Sequence, residues 1–351
     1  MKTGSKPNGI TDSGSRPVPY RRLMAILTVS LLAAFLISLF TGAERITPGA
    51  LAASVKTLLS GNAGLSGIDL VIWKGRLPRI FLAVLAGALL SSSGVVFQGV
   101  FLNPMADPYL LGVSSGAAFG VAFSKTVFGS FSGVLPVSLA AFGGALAASF
   151  LVFIVSGGFR VRSTVYLLLT GLAIGFILSG LVSVLIYLNR NEVEAIIFWM
   201  MGSFSGASWE RVLFLALVLA AGSVVLMLSR RDLNILSMGE DSAAASGMNV
   251  GAVRLVLLIT GTVMAAAAVA ACGIISFAGL IIPHIIRMLT GADHRKLLPA
   301  GLLAGGLFMM ITDTISRTVV APSQIPVSVI TSLIGGPYFI LLIYRRGRKW
   351  Q

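Results

Sequence analysis

The 351-residue chain holds one cysteine, two histidines and 12 acidic residues, and these shortages exclude most site chemistry before any motif is read. With Cys272 alone, no intrachain disulfide can form and no thiolate cluster can hold a metal. His284 and His294 do not form an H-E-x-x-H pattern or a facing pair of haem ligands, so no metal site is assigned. No G-x-x-x-x-G-K-[ST] phosphate loop is present, and ATP cannot be hydrolysed by that route here. Charged residues make up 11% of the chain, against roughly 25% in a soluble domain. A soluble globular protein is excluded on that count.

What is abundant is apolar sequence: 56% of residues are hydrophobic and the mean hydropathy is +0.95. An α-helix rises 1.5 Å per residue, so about 20 apolar residues cross the hydrocarbon of a bilayer. Stretches of that order run over Leu23–Thr41, Ile80–Gln98, Leu110–Phe128, Leu135–Ser156, Thr164–Leu188, Val212–Ser229, Val253–Cys272, Gly273–Leu289, Leu297–Ile315 and Val327–Tyr344. The predicted fold is an all-α, polytopic membrane protein of about ten transmembrane helices. The seventh and eighth stretches touch at Cys272 and Gly273, so a single broken helix and a nine-span count stay open. The 40 glycines recur at helical spacing, as at Gly112, Gly116 and Gly120 or Gly301 and Gly305, which suits close helix packing in lipid.

The net charge of +14 follows topology. Basic residues flank apolar spans and are not interleaved with stacking aromatics, so nucleic acid is not an expected partner. With ten spans, the larger share of the lysines and arginines falls on the side of the termini, including Arg21, Arg22, Arg230, Arg231, Arg295 and Lys296. The positive-inside bias therefore places both termini in the cytoplasm. Residues 1–22 read as a polar cytoplasmic tail, residues 23–344 as the membrane domain and residues 345–351 as a basic tail. A cleaved signal peptide fits less well, because its apolar region normally runs only 7 to 15 residues.

Ion-coupled carriers place ionisable groups inside the membrane, and the spans here have almost none. Asp313 and Arg317 can pair as i and i+4 neighbours, and His284 with Arg287 lies towards the cytoplasmic end of the eighth span. His294 reads as a loop residue between Asp293 and Arg295. No proton relay is evident. If the protein moves a solute uphill, the energy enters from another polypeptide.

Three segments then stand out. Arg76-Leu77-Pro78-Arg79 opens the second span, with Pro78 suited to a first helical turn and both arginines on the outer surface. Asn103-Pro104-Met105-Ala106-Asp107-Pro108 makes a rigid crossing between the second and third spans. Gly273 to Arg287 reads G-I-I-S-F-A-G-L-I-I-P-H-I-I-R. With Trp199–Ser203 (W-M-M-G-S) and the D-x-x-x-R of Asp313 and Arg317, their order and spacing resemble the FecCD-type permeases of ABC importers for iron chelates, haem and cobalamin. The resemblance covers roughly Leu23 to Tyr344.

The resemblance implies a transporter permease subunit that is not itself an enzyme and carries no cofactor. ATP and Mg would be bound by two cytoplasmic ATPase subunits beneath a homodimer of this chain, with an extracytoplasmic binding protein above, in a bacterial or archaeal cytoplasmic (inner) membrane. An intact metal chelate would pass: ferric siderophore first, then haem or cobalamin. Family positions matching Arg76, Arg79 and Arg317 face the binding protein; the plainer reading is a lipid anchor for the first two and an ion pair with Asp313 for the third. In the loop at about 230–253, Gly239, Glu240, Asp241, Ala243 and Gly247 match short coupling helices that dock on the ATPase, or else form a solvated linker. Ser246 stands where relatives often carry leucine. Asn103 and Met105 match the cytoplasmic gate, or else a structural turn with Asn103 bonded to backbone. The fifth span would line the pathway. His284 occurs in the family whatever the cargo, which favours a structural role. A stand-alone secondary carrier or channel is the alternative function.

Overall fold

The computed structural model describes residues 19–42, 44, 46–60, 67–128, 134–157 and 164–347. The tail readings over residues 1–18 and 348–351 lie outside the described residues; Tyr20 to Arg22 already belong to the first helix. Every regular element among the described residues is helical. In chain order these are α1 (Tyr20–Phe40), α2 (Pro48–Leu59), α3 (Gly67–Leu70), α4 (Leu77–Val100), α5 (Val113–Phe128), α6 (Val134–Val155), α7 (Thr164–Leu188), α8 (Val193–Met200), α9 (Trp209–Leu228), α10 (Arg230–Leu236), α11 (Glu240–Ala245), α12 (Val250–Cys272), α13 (Ala278–Thr290), α14 (His294–Thr318) and α15 (Val327–Gly347).

Helices α4, α12 and α14 form the buried centre, while α1, α6, α7 and α9 keep most of their apolar surface outside the chain's own core. Glycines hold the central helices in close contact. A Cβ added to Gly87 of α4 would lie 2.1 Å from the Gly305 carbonyl oxygen of α14, and one on Gly94 would lie 1.8 Å from that of Gly279 in α13. Only glycine lets these backbones touch, and touching helices replace lipid contact with dispersion contact. By contrast α7 points Val165, Leu169, Leu172 and Phe176 outward, a face suited to lipid or another protein.

Among the described residues, eight helical stretches are long and apolar enough to cross a membrane. The other two expected spans are shortened. The third begins with a 3-10 turn, Pro108–Leu111, before the 16 residues of α5. The eighth is the 13-residue α13, which rises only about 20 Å. The seventh and eighth spans are separate helices, not one broken helix: α12 ends at Cys272, Gly273 takes a positive φ of 76°, non-helical backbone runs to Phe277, and the chain turns back so that Gly261 of α12 and Gly279 of α13 both meet α4 between Leu90 and Phe97.

The second span also differs from expectation. Helix does not start at the Arg76-Leu77-Pro78-Arg79 segment but runs from Gly67 through a π-helical turn over Val71–Arg76 into α4. Pro78 has no N–H to offer the preceding turn, and the wider turn falls directly before it. Arg76 and Arg79 are buried, not spread over the outer surface as expected. Likewise His294, expected in a loop, is fully buried as the first residue of α14.

Candidate functional site

The residues singled out in the sequence gather at two ends of the bundle, and α4 and α14, packed on each other through Gly87 and Gly305, reach both. At one end lie the three arginines. Helix α1 stops at Phe40, leaving its last carbonyls without intrahelical partners. Arg76 Nη1 donates to Leu39 O (2.8 Å) and Nη2 to Glu44 O (2.7 Å). Arg317 Nη2 donates to the carbonyl and hydroxyl oxygens of Ser38. Arg79 sits between α4 and α14: Nε and Nη2 each lie 2.8 Å from Asp313 Oδ1, and Nη1 donates to Gln324 Oε1 at 2.8 Å. Asp313 Oδ2 is 3.6 Å from Arg317 Nε. One carboxylate, 1% exposed, thus answers two guanidiniums, and the third arginine caps a helix end.

Nearby, the W-M-M-G-S segment closes the break after α12. Ser203 N–H donates to Cys272 O (2.8 Å), and a Cβ on Gly273 would lie 2.3 Å from Trp199 O. Val327 N–H donates to Gly202 O at 3.1 Å, so the start of α15 is held on the same turn. These sequence motifs, separated by scores of residues, are one packed corner.

At the other end, the Asn-Pro loop leaves α4 through Leu102, whose φ is +49°. Asn103 Oδ1 accepts from Met105 N–H (2.9 Å) and Asp107 Oδ1 from Tyr109 N–H (2.8 Å), so both side chains hold the turn. Tyr109 then bridges to the helix break, its hydroxyl donating to Ile275 O at 2.9 Å. Burial pushes the Asp107 carboxyl up to about 6, against the lowering effect of the Tyr109 N–H bond.

The loop's residues divide between two cavities. Met105 lines one of about 550 Å³ with Asp107, Tyr109, Phe277, Leu280 and Phe339. Leu102 and Pro104 line another of about 420 Å³ with Gln98, Ser237, His284 and Arg287. Leu280, His284 and Arg287 share a face of α13, and their order puts the second cavity nearer the end of that helix.

Beside the second cavity, Gly239 (φ +104°) and Gly247 (φ +82°) bracket α11. Glu240 pairs with the buried Arg254 of α12, and Ala243 is fully buried, whereas Asp241 is exposed. Asn234 of α10 ties this segment to α14: its amide nitrogen donates to Asp293 Oδ1 (2.8 Å), and its oxygen accepts from His294 N–H (2.8 Å). The Asn234 amide, with the Arg295 N–H, holds the Asp293 carboxyl below the usual carboxylate range. Asn234, Gln98, Gln324 and Arg254 were missed by sequence reasoning, because amide and cation partners from distant helices leave no local spacing.

His284 is buried and meets the Tyr338 ring edge-on, 6.4 Å between centroids. Among the described residues no group of three metal-ligating side chains occurs.

Residues 30–345 match the FecCD transport family. The chain belongs to that family. A haemin transport system permease of Yersinia pestis is 38% identical over 330 residues, covering 93% of this chain and 97% of that one. A molybdate import system permease of Haemophilus influenzae is 38% identical over 345 residues, 95% and 98% of the two chains. A cobalamin import system permease of Halobacterium salinarum is 41% identical over 271 residues, 77% and 72%. A solved metal-chelate-type ABC transporter in an inward-facing conformation superposes with a TM-score of 0.81 at 34% identity, over 93% of this chain and all of that one. This FecCD-family chain is an ABC importer permease and a multi-pass membrane protein, without enzymatic chemistry of its own.

Proposed function

We propose that this permease carries an intact metal chelate, ferric siderophore before haem or cobalamin, into a bacterial or archaeal cytoplasm. It works as a homodimer with two ATPase subunits below and a binding protein above. The observation that carries this reading is the pairing of a loop set between two cavities with a helix-capped segment, α10–α11, hydrogen-bonded to α14 beside it. Asn103 and Met105 act as the cytoplasmic gate, with Asn103 holding the loop's shape and Met105 facing the cavity. Gly239 and Gly247 end the coupling helix, Ala243 seats it on the bundle, Glu240 fixes it to α12, and Asp241 is free to meet the ATPase.

Arg76, Arg79 and Arg317 serve binding-protein docking through charge. Three guanidiniums around Asp313 and the exposed Glu44 leave the outer end net positive, and long-range attraction needs charge rather than exposure. With the α14 end that carries Asp313 outside, the Asn-Pro loop and α11 lie on the cytoplasmic side with both termini. ATP and Mg belong to the partner chains.

Co-purification tests this. The expected result is a complex with a P-loop ATPase whose ATP hydrolysis rises when loaded binding protein is added. A permease that binds no ATPase yet moves solute on a proton gradient would instead be a secondary carrier, and the proposal would fail.

A further inference from the structure

Two opposite charges at the start of α9 stand beside an apolar groove, neither with an ion partner among the described residues. Arg211 donates from Nη1 to Gly206 O (2.9 Å) and from Nη2 to Ser138 Oγ (3.2 Å), so its other N–H groups keep room for an acceptor. Glu210 is exposed and accepts from the Ser208 hydroxyl at 3.3 Å. Both line a groove of about 370 Å³ between α6, α9 and α12, whose apolar walls are Leu139, Phe142 and Phe214. Phe142 and Phe214 meet edge-on, 5.8 Å between centroids, and Leu139 is 61% exposed. Ser138 stands one turn before Phe142 on α6, and Arg211 about one turn before Phe214 on α9. The groove is therefore polar at its mouth and apolar below. Trp209, adjacent to Glu210, is half exposed with its Nε1 donating to Trp73 O (2.8 Å), as suits an aromatic anchor at the membrane–water boundary.

Helices α6 and α9 keep most of their apolar surface outside the chain's own core, so the groove opens where lipid lies. One cation and one anion at its mouth match a zwitterion. Arginine's planar fork takes a phosphate, and the carboxylate takes an ammonium N–H. We infer that Arg211 and Glu210 form a headgroup site for a phospholipid with a primary ammonium, of the phosphatidylethanolamine class, whose chain lies along Leu139, Phe142 and Phe214. Phosphatidylcholine would answer Arg211, but its quaternary ammonium has no N–H for Glu210. Phosphatidylglycerol would answer Arg211 and leave Glu210 beside a like charge. Arg211 also lines the cavity of about 440 Å³ next to Trp199 and Gln324, so a lipid in the groove would hold the side chain that the two spaces share.

Native mass spectrometry of the purified permease in detergent, titrated with phosphatidylethanolamine, phosphatidylcholine and phosphatidylglycerol of identical acyl chains, tests the inference. Phosphatidylethanolamine should bind about tenfold more tightly than either, the weight of one charge-assisted hydrogen bond. Glu210→Gln should bring it down to the phosphatidylcholine level. Leu139→Trp fills the groove from its exposed side while leaving both charges in place, and should remove the preference in a permease whose unfolding midpoint is unchanged. Equal binding of the three lipids would overturn the inference, as would a preference that survives both variants. Phosphatidylglycerol binding first would assign the groove to anionic lipid through Arg211 alone and overturn it too. So would the absence of any retained lipid, as when a second copy of the chain covers this face. Lipid binding is read on the permease without ATPase or cargo, so it stands or falls separately from ATP-linked transport.

Discussion

Arginines at the two ends of the bundle are treated in opposite ways. At the outer end, Arg79 and Arg317 share the carboxylate of Asp313, and Arg76 bonds two carbonyls, so every guanidinium is held by the fold. At the inner end, the Nε and Nη2 of Arg287 are buried without a hydrogen-bond partner among the described residues. The difference is one of pairing: a shared carboxylate at one end, and no carboxylate partner for Arg287 among the described residues at the other.

The sharpest way to break that contrast is to remove the shared carboxylate. Asp313→Ala strands two buried guanidiniums, and breaking a buried pair costs about 3–5 kcal/mol. Thermal unfolding in detergent should show a large drop, whereas Arg287→Gln should hold or raise the midpoint; equal effects would erase the distinction. Arg79→Glu sets a carboxylate against Asp313, so loss of folded permease is expected, not selective loss of docking. Retained folding with weakened binding-protein association would show that the outer cluster is looser than described.

A smaller effect is expected where the two ends are joined. Gly87→Ala pushes a methyl into the Gly305 backbone and should cost about 1–3 kcal/mol by overpacking, read as a lower unfolding midpoint. No change would mean that α4 and α14 slide independently. In α11, the proposed coupling helix, Asp241→Lys should leave the midpoint unchanged and reduce transport-coupled ATP hydrolysis. Glu240→Gln, whose partner Arg254 is buried but whose own carboxylate is half exposed, should cost about 1 kcal/mol or less. Normal coupling in both variants with an intact complex would remove α11 from the interface.

The smallest effect is one of pH. A carboxyl raised to about 6 in the fold binds more protons there than in the unfolded chain, so Asp107 stabilises least above that value. Stability should fall modestly as pH rises from about 4 to 6, and Asp107→Asn should flatten that slope. A slope unchanged in the variant would assign it to another group.

Much of the fold was legible because long apolar runs in lipid permit little but helices. The α12–α13 break was visible as two spans meeting at Gly273. What was not legible came from partners distant in sequence. Asp313 and Arg317 could be paired by spacing, but Arg79, 234 residues from Asp313, could not. His294 looked like a loop residue because its neighbours are charged, and only Asn234 explains its burial. Helix α2 was missed because its 12 residues are too few to span, although Thr47 and Pro48 form an N-terminal cap that could have announced it. Arg287 lies in the last turn of α13, and its lack of a carboxylate partner cannot be seen in a sequence.

The central claim is that cargo crosses this chain at the cost of ATP hydrolysed elsewhere. Its most direct test is uptake into proteoliposomes holding the permease with its ATPase and binding protein, offered ferric siderophore, haem and cobalamin in parallel. The account predicts ATP-dependent entry of one chelate, a ferric siderophore, abolished when the ATPase is omitted. Entry that persists without the ATPase and follows a proton gradient would contradict it.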